Sequence, residues 1–208
     1  MADVNPNSRI EMFSDGVFAI AITLLIIEIK VPALNLMNST RDVWNAIIHL
    51  WPSFFALFLS FVLIFISWYG HHALFTSLDK NSDQFVFANG LFLLTVIILP
   101  FPTAFVAEYL NTSYAQPAIV FYSFCALVHN LGWRVLLNST QKPKLLAKST
   151  EHIKNINGAI KSNRMGGIIS VVILLLSWWF PYIALFLSLM LWTFWVYVSV
   201  KVKRENQV

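Results

Sequence analysis

Long apolar runs recur along this chain and constrain its fold more than any other feature. No water meets backbone N–H and C=O groups in a bilayer core, so a run of about 20 apolar residues is stable there as a helix that satisfies them itself. Such runs cover about residues 12–31, 46–69, 85–107, 117–137, 166–180 and 182–200. The last two come from one stretch, Gly166 to Val200, which is longer than one crossing needs. Its break is expected at Trp178-Trp179-Phe180-Pro181, where proline ends a helix and the tryptophans favour a membrane interface. The expectation is a single all-α integral membrane domain over residues 1–208, with six transmembrane helices.

Charge fits that reading. Charged residues make up 12% of the chain, half the proportion of a soluble domain, and hydrophobic residues 58%. The net charge of +4 would point to nucleic acid in a soluble protein. Here no basic face is interleaved with aromatics, so no nucleic-acid partner is expected, and the excess Lys and Arg read as a topology signal. Two basic clusters stand out: Lys142, Lys144, Lys148, Lys154, Lys161 and Arg164 before the fifth run, and Lys201, Lys203 and Arg204 in the tail. Both belong on the cytoplasmic side, which requires an even number of crossings between them. Counting back places both termini inside, as in a multi-pass protein of the cell (plasma) membrane. Lys30 and Arg41 fall outside and are exceptions. Glu11 and Asp15 precede the first run and no small-x-small cleavage site closes it, so it does not read as a signal peptide.

Enzyme signatures are missing. There is no phosphate-binding glycine loop, no HExxH and no nucleophile elbow, so neither a cofactor nor an enzymatic activity is expected. The one cysteine, Cys125, lies in an apolar run and reads as a small buried residue. No metal site is expected.

The first run, Arg9 to Glu28, carries the most information. On a helical wheel measured from Ile20, Leu24 lies at about +40°, Ile27 at about −20°, Phe13 at about +20°, Gly16 at about −40° and Thr23 at about −60°. These residues share a stripe. Asp15 lies at about −140°, on the back with Ala19, Ile22 and Ile26. Arg9 and Asp15 are not neighbours on the helix surface, so each needs a partner on another span. Periodicity alone leaves two readings of the Ile20–Leu24–Ile27 stripe, ordinary packing or the wall of a pore. An acid at a membrane edge is a functional hint, yet Asp15 can equally cap backbone and hydroxyl groups.

Arg9-x-x-x-Phe13-Ser14-Asp15, followed by Gly-Val-Phe-Ala-Ile-Ala-Ile-Thr-Leu-Leu, resembles the signature of the transmembrane protein 175 family of potassium channels, in its prokaryotic single-repeat form. The resemblance implies a homotetramer whose first helices line a central pore, with no re-entrant pore loop. The sequence has no Thr-Val-Gly-Tyr-Gly run of the carbonyl-filter kind. It implies rings of aliphatic side chains at Ile20, Leu24 and Ile27 as the constriction and Thr23 as a selectivity position. Arg9, Phe13, Ser14 and Asp15 would lock the helices together. His71 and His72, at the inner end of the second span, would contact this motif, with Asp15 or Ser14 as partner. Glu28, near the outer mouth, would attract cations, or else is a solvated residue at headgroup level.

The implied activity is passive conduction of K+, and of other monovalent cations, through a hydrophobic constriction with modest selectivity. The expected partners are the permeating ion, the lipid bilayer and three further copies of the chain. The alternatives are a secondary transporter and a non-conducting structural membrane protein. The first would want broken helices or repeated halves with polar groups at mid-membrane. Neither repeated halves nor mid-span acids are present, and the sequence alone does not exclude the second.

Overall fold

A computed structural model describes residues 7–33, 35, 38–140 and 149–205, with the backbone alone for 198–205. Lys142, Lys144 and Lys148 lie outside the described residues, as do the side chains of Lys201, Lys203 and Arg204. The described chain contains eight helices: α1 (Ser8–Ile27), α2 (Thr40–His49), α3 (Trp51–Thr76), α4 (Asp83–Ile98), α5 (Pro100–Tyr109), α6 (Ala115–Ser139), α7 (Thr150–Trp179) and α8 (Pro181–Glu205).

Serine and proline set the boundaries. Ser39, Ser82 and Ser149 are extended N-cap residues whose hydroxyls accept from the backbone N–H of Asp42, Phe85 and His152. Pro52, Pro100 and Pro181 lie in the first turns of α3, α5 and α8, where a missing N–H costs nothing. Each also ends the helix before it. Leu50 and Leu99 close the preceding turns with N–H bonds three residues back, to Ile47 and Val96. Phe180 departs further, at φ −132° and ψ 65°.

Five stretches are long and apolar enough to cross a membrane: α1, α2 with α3, α4 with α5, α6, and α7; Pro181–Tyr197 is a shorter apolar helix. Several boundaries differ from expectation. α1 stops at Ile27 rather than near residue 31, because the exclusion of helical geometry before Pro32 spreads back through a tightened turn, Ile29 N–H to Ile26 C=O. The polar connection expected at Asn35–Asn45 contains most of α2, an amphipathic helix with Val43, Trp44, Ile47 and Ile48 exposed. α3 runs on to Thr76, so His71 and His72 stand inside a helix rather than after one. α7 begins at Thr150, absorbing most of the polar segment before the fifth run, since Ser149 caps it and no proline interrupts it.

α1 packs on α3, α4 and α5, and α6 bridges α4 and α5 to α7 and α8. Phe18, Leu59, Ile64, Phe75, Phe85, Phe92, Leu99, Ile119 and Tyr122 form the core. In lipid, apolar burial supplies little drive, so close packing and interhelical hydrogen bonds must hold such helices together. Two buried clusters do so. The Ser60 hydroxyl is 2.6 Å from that of Thr103 and 3.1 Å from that of Tyr122, joining α3, α5 and α6. His129 of α6 lies between Ser67 of α3 at 2.7 Å and Thr95 of α4 at 2.9 Å. Gly132 lets α6 approach α4: a Cβ there would meet Thr95 Cγ2 and Oγ1 at 3.0 Å. Large apolar side chains, among them Phe58, Leu94, Leu131 and Leu175, stand on the outward faces, as lipid contact requires.

Candidate functional site

α1 divides into two faces. Ser14, Phe18, Ala21 and Leu25 recur at helical spacing and are buried against the neighbouring helices. The other face is open: Phe13 is 65% exposed, Ile20 62% and Ile27 69%, with Leu24 less so at 37%. Gly16 and Thr23 are exposed between them. Thus the stripe read from the wheel lies on the side of α1 that the rest of the chain leaves uncovered. Thr23 donates its hydroxyl proton to the Ile20 carbonyl at 2.9 Å. The lone pairs of its oxygen therefore remain free on that open face.

The packed face is fastened by two polar connections, both at the inner end by the sequence-based orientation. In the first, Trp68 of α3 donates its indole N–H to Asp15 Oδ1 at 2.9 Å. One turn away, His72 Nδ1 lies 3.0 Å from Glu11 Oε1. Glu11 and Asp15 are four residues apart on α1, and Trp68 and His72 are four apart on α3, so two antiparallel helices meet in matched steps. The Trp68 and His72 rings stack at 6.3 Å with 22° between their planes.

The second connection is buried. Ser14 donates to the Ile10 carbonyl at 2.8 Å, so its oxygen must accept from Asn89 Nδ2 of α4, at 3.0 Å. That fixes the Asn89 amide with Oδ1 toward His71 Nε2, 2.8 Å away. His71 therefore carries a proton on Nε2 and donates it to Asn89. Its Nδ1 is buried with no hydrogen-bond partner, and the ring is enclosed by Phe18, Phe75 and Phe92.

The two histidines connect to the motif through other partners than Asp15 or Ser14 directly. His71 reaches Ser14 through Asn89 rather than directly, because α4 stands between them. His72 takes Glu11, and Asp15 takes Trp68. Asp15 is half-buried at the edge of the packed face, whereas Ala19 and Ile26, grouped with it on the wheel, are exposed. Arg9 is exposed and makes no hydrogen bond or ion pair among the described residues. Asn7 stands at the N-cap of α1 but makes no capping bond with its side chain. Its amide donates to the Leu78 carbonyl at 3.3 Å and accepts from Asn81 at 3.0 Å, tying the start of α1 to the α3–α4 connection.

The sequence reading missed Trp68 and Asn89. Asn89 had a signal, since an amide inside an apolar span wants an interhelical partner. Trp68 had a weaker one, its position one turn before His72.

At the other end, Glu28 lies exposed just past α1. It lines a cleft of about 550 Å³ with Lys30, Leu50, Ser53 and Glu108. Among the described residues no three His, Cys, Asp or Glu side chains converge as a metal site.

The family model described as "Endosomal/lysosomal potassium channel TMEM175" matches residues 9–100, which include both polar connections and the open stripe. A potassium channel of Chamaesiphon minutus is 37% identical over 173 residues, 81% of this chain and 83% of that one. A potassium channel of Streptomyces collinus is 40% identical over 134 residues, 64% of each. The crystal structure of a lysosomal potassium-selective channel TMEM175 homolog from Chamaesiphon minutus superposes with a TM-score of 0.83 and 32% identity, covering 93% of this chain and 97% of that one.

Proposed function

The chain belongs to the TMEM175 potassium channel family, and from that premise we propose that it conducts potassium passively through a pore lined by four copies of α1. One observation carries the reading. The face of α1 left open by its own chain is the one bearing Ile20, Leu24, Ile27 and Thr23, while the opposite face is packed and hydrogen-bonded. A helix so divided presents its open face either to lipid or to other copies. Gly16, Ala19 and Thr23 on the open side favour copies, since small and hydroxyl-bearing residues let helices approach and lipid has no use for a hydroxyl.

Rings of Ile20, Leu24 and Ile27 would form a constriction too apolar to hold a continuous file of water, so a closed pore resists ions by dewetting. The free lone pairs of Thr23 would offer an oxygen to a partly dehydrated cation one turn outward of the first ring. A single hydroxyl ring substitutes for little of a hydration shell, so discrimination among monovalent cations is modest. Glu28 and Glu108 would add negative potential at the outer mouth. With six crossings, the shorter helix α8 among them, both termini would lie on the cytoplasmic side of the cell membrane. Arg9, Phe13, Ser14, Asp15, His71 and His72 do not touch the ion. Among these, Ser14, Asp15, His71 and His72 hold α1 against α3 and α4, so that its open face keeps one orientation.

The test is potassium flux from liposomes holding the pure protein under a potassium gradient, comparing wild type with Ile20→Asn. A polar ring wets the constriction, so the variant should pass potassium at least several-fold faster. Absence of flux in both proteins, or a reversal potential that follows chloride, would defeat the proposal.

A further inference from the structure

We propose that the basic end of the α6–α7 pair is a binding surface for anionic lipid headgroups, formed by Arg134, Lys161 and Arg164. The two helices run antiparallel in a fixed register: Gln116 donates to the Trp178 carbonyl near one end, and Asn163 donates to the Asn130 carbonyl at 3.2 Å near the other. Gly166 and Gly167 make room for the Asn130 amide, to which a Cβ on Gly167 would come within 2.8 Å. From that register, Arg134 lies one turn beyond Asn130 on α6, and Lys161 and Arg164 flank Asn163 on α7. At 1.5 Å per residue the three attachment points fall within about 8 Å of one depth. Lys161 and Arg164 are exposed and Arg134 is half-buried, and none makes a hydrogen bond or ion pair among the described residues. Glu151 is ten residues from Lys161 along α7, about 15 Å away.

The face beside these cations is built for lipid tails. Lys161, Ile168, Val172, Leu175 and Trp179 follow one another at spacings of seven, four, three and four, and so share a single stripe of α7. All are exposed, Ile168 by 66% and Trp179 by 69%. From Lys161 to Trp179 the helix rises about 27 Å, close to the thickness of a hydrocarbon core. A cation closes one end of the stripe and an interfacial tryptophan the other. Three unpaired cations at the rim of an apolar face match a phosphodiester with its acyl chains, and long basic side chains reach headgroups at this level.

The inference rests on α7 crossing the bilayer, not on conduction. It is read without an ion gradient, so a failure of the channel reading leaves the result intact. Spin-labelled phosphatidylglycerol and phosphatidylcholine are compared for the motionally restricted fraction around the purified protein in mixed vesicles. Wild type should prefer phosphatidylglycerol at least fivefold, and this should shrink in high salt. Each of Arg134→Gln, Lys161→Gln and Arg164→Gln should weaken it, by up to about fivefold per charge, and the triple variant should approach parity. Arg134→Lys with Arg164→Lys should retain it, which separates charge from loss of fold. Lys154→Gln, two turns farther from the apolar stripe on α7, should change nothing. Equal retention of the two lipids by wild type would overturn the inference. So would a preference kept by the triple variant, or displacement of the lipid by millimolar glycerol phosphate.

Discussion

Asp15 and Glu11 put two negative charges one turn apart on a helix that enters a low-dielectric environment, an arrangement that repels itself unless each carboxylate is met. The structure meets them separately, Asp15 by the Trp68 indole and Glu11 by His72. Trp68→Phe keeps the ring but removes its N–H. It should lower stability by about 1.5–3 kcal/mol, the range for a hydrogen bond to a charged group, measured as a reduced midpoint of unfolding in detergent. Adding Asp15→Leu should recover part of the loss, because a carboxylate that is absent leaves nothing unpaired. Additive losses in this double-mutant cycle would mean that the two side chains act independently. At this scale the sequence was legible in kind and not in pairing. Arg9, Ser14, Asp15, His71 and His72 could be singled out from one stretch and one dipeptide. Which polar group met which depended on how α3 and α4 pass behind α1, and neither composition nor spacing carries that.

Among the elements, a proline that fell between two apolar runs was readable as a boundary, while prolines inside a run and ends set by tertiary contact were not. Pro181 was legible as a helix start, since a missing N–H acts wherever it is placed, whereas the runs expected at 46–69 and 85–107 carried straight through Pro52 and Pro100, which also begin helices. α7 was read as about half its length. The lysine-bearing stretch from Thr150 read as a polar segment with room for a short surface helix, yet it is continuous with the fifth run because Ile156 and Ile160 are buried against the bundle. Close approach between helices is likewise invisible in a single chain, although it separates the glycines into two kinds. A Cβ on Gly132 would meet Thr95, a branched side chain held by His129, at 3.0 Å, whereas one on Gly158 would meet nothing within 4 Å. Gly132→Ala should therefore destabilise by about 1–3 kcal/mol, the usual cost of overpacking. Gly158→Ala should stabilise by up to about 1 kcal/mol, since alanine orders a helix at less entropic cost. Parallel thermal melts of the two variants decide the matter, and equal shifts would remove the case for a tight α4–α6 contact.

In the whole molecule, α1 and α7 are the two long helices least covered by the rest of the chain, and their open faces differ in character. The stripe on α7 runs from lysine to tryptophan through bulky apolar residues, the pattern of a helix against lipid. The open face of α1 has no tryptophan and carries Gly16, Ala19 and Thr23 among its aliphatic residues. If α7, which packs on α6 and α8, faces the bilayer, α1, which packs on α3, α4 and α5, is free to meet its own copies. Four chains of 23.8 kDa arranged around α1 should give a detergent-corrected mass near four times that value by light scattering. A sharper check places one cysteine in a Cys125→Ala background. Ile27→Cys, at the end of the open stripe, should give disulfide-linked dimers on mild oxidation. Leu175→Cys, 58% exposed on the lipid-facing stripe before substitution, should give none. Linkage through Leu175→Cys but not through Ile27→Cys would turn the molecule inside out, placing α7 at the axis and α1 in the lipid, and the aliphatic stripe would then be no gate.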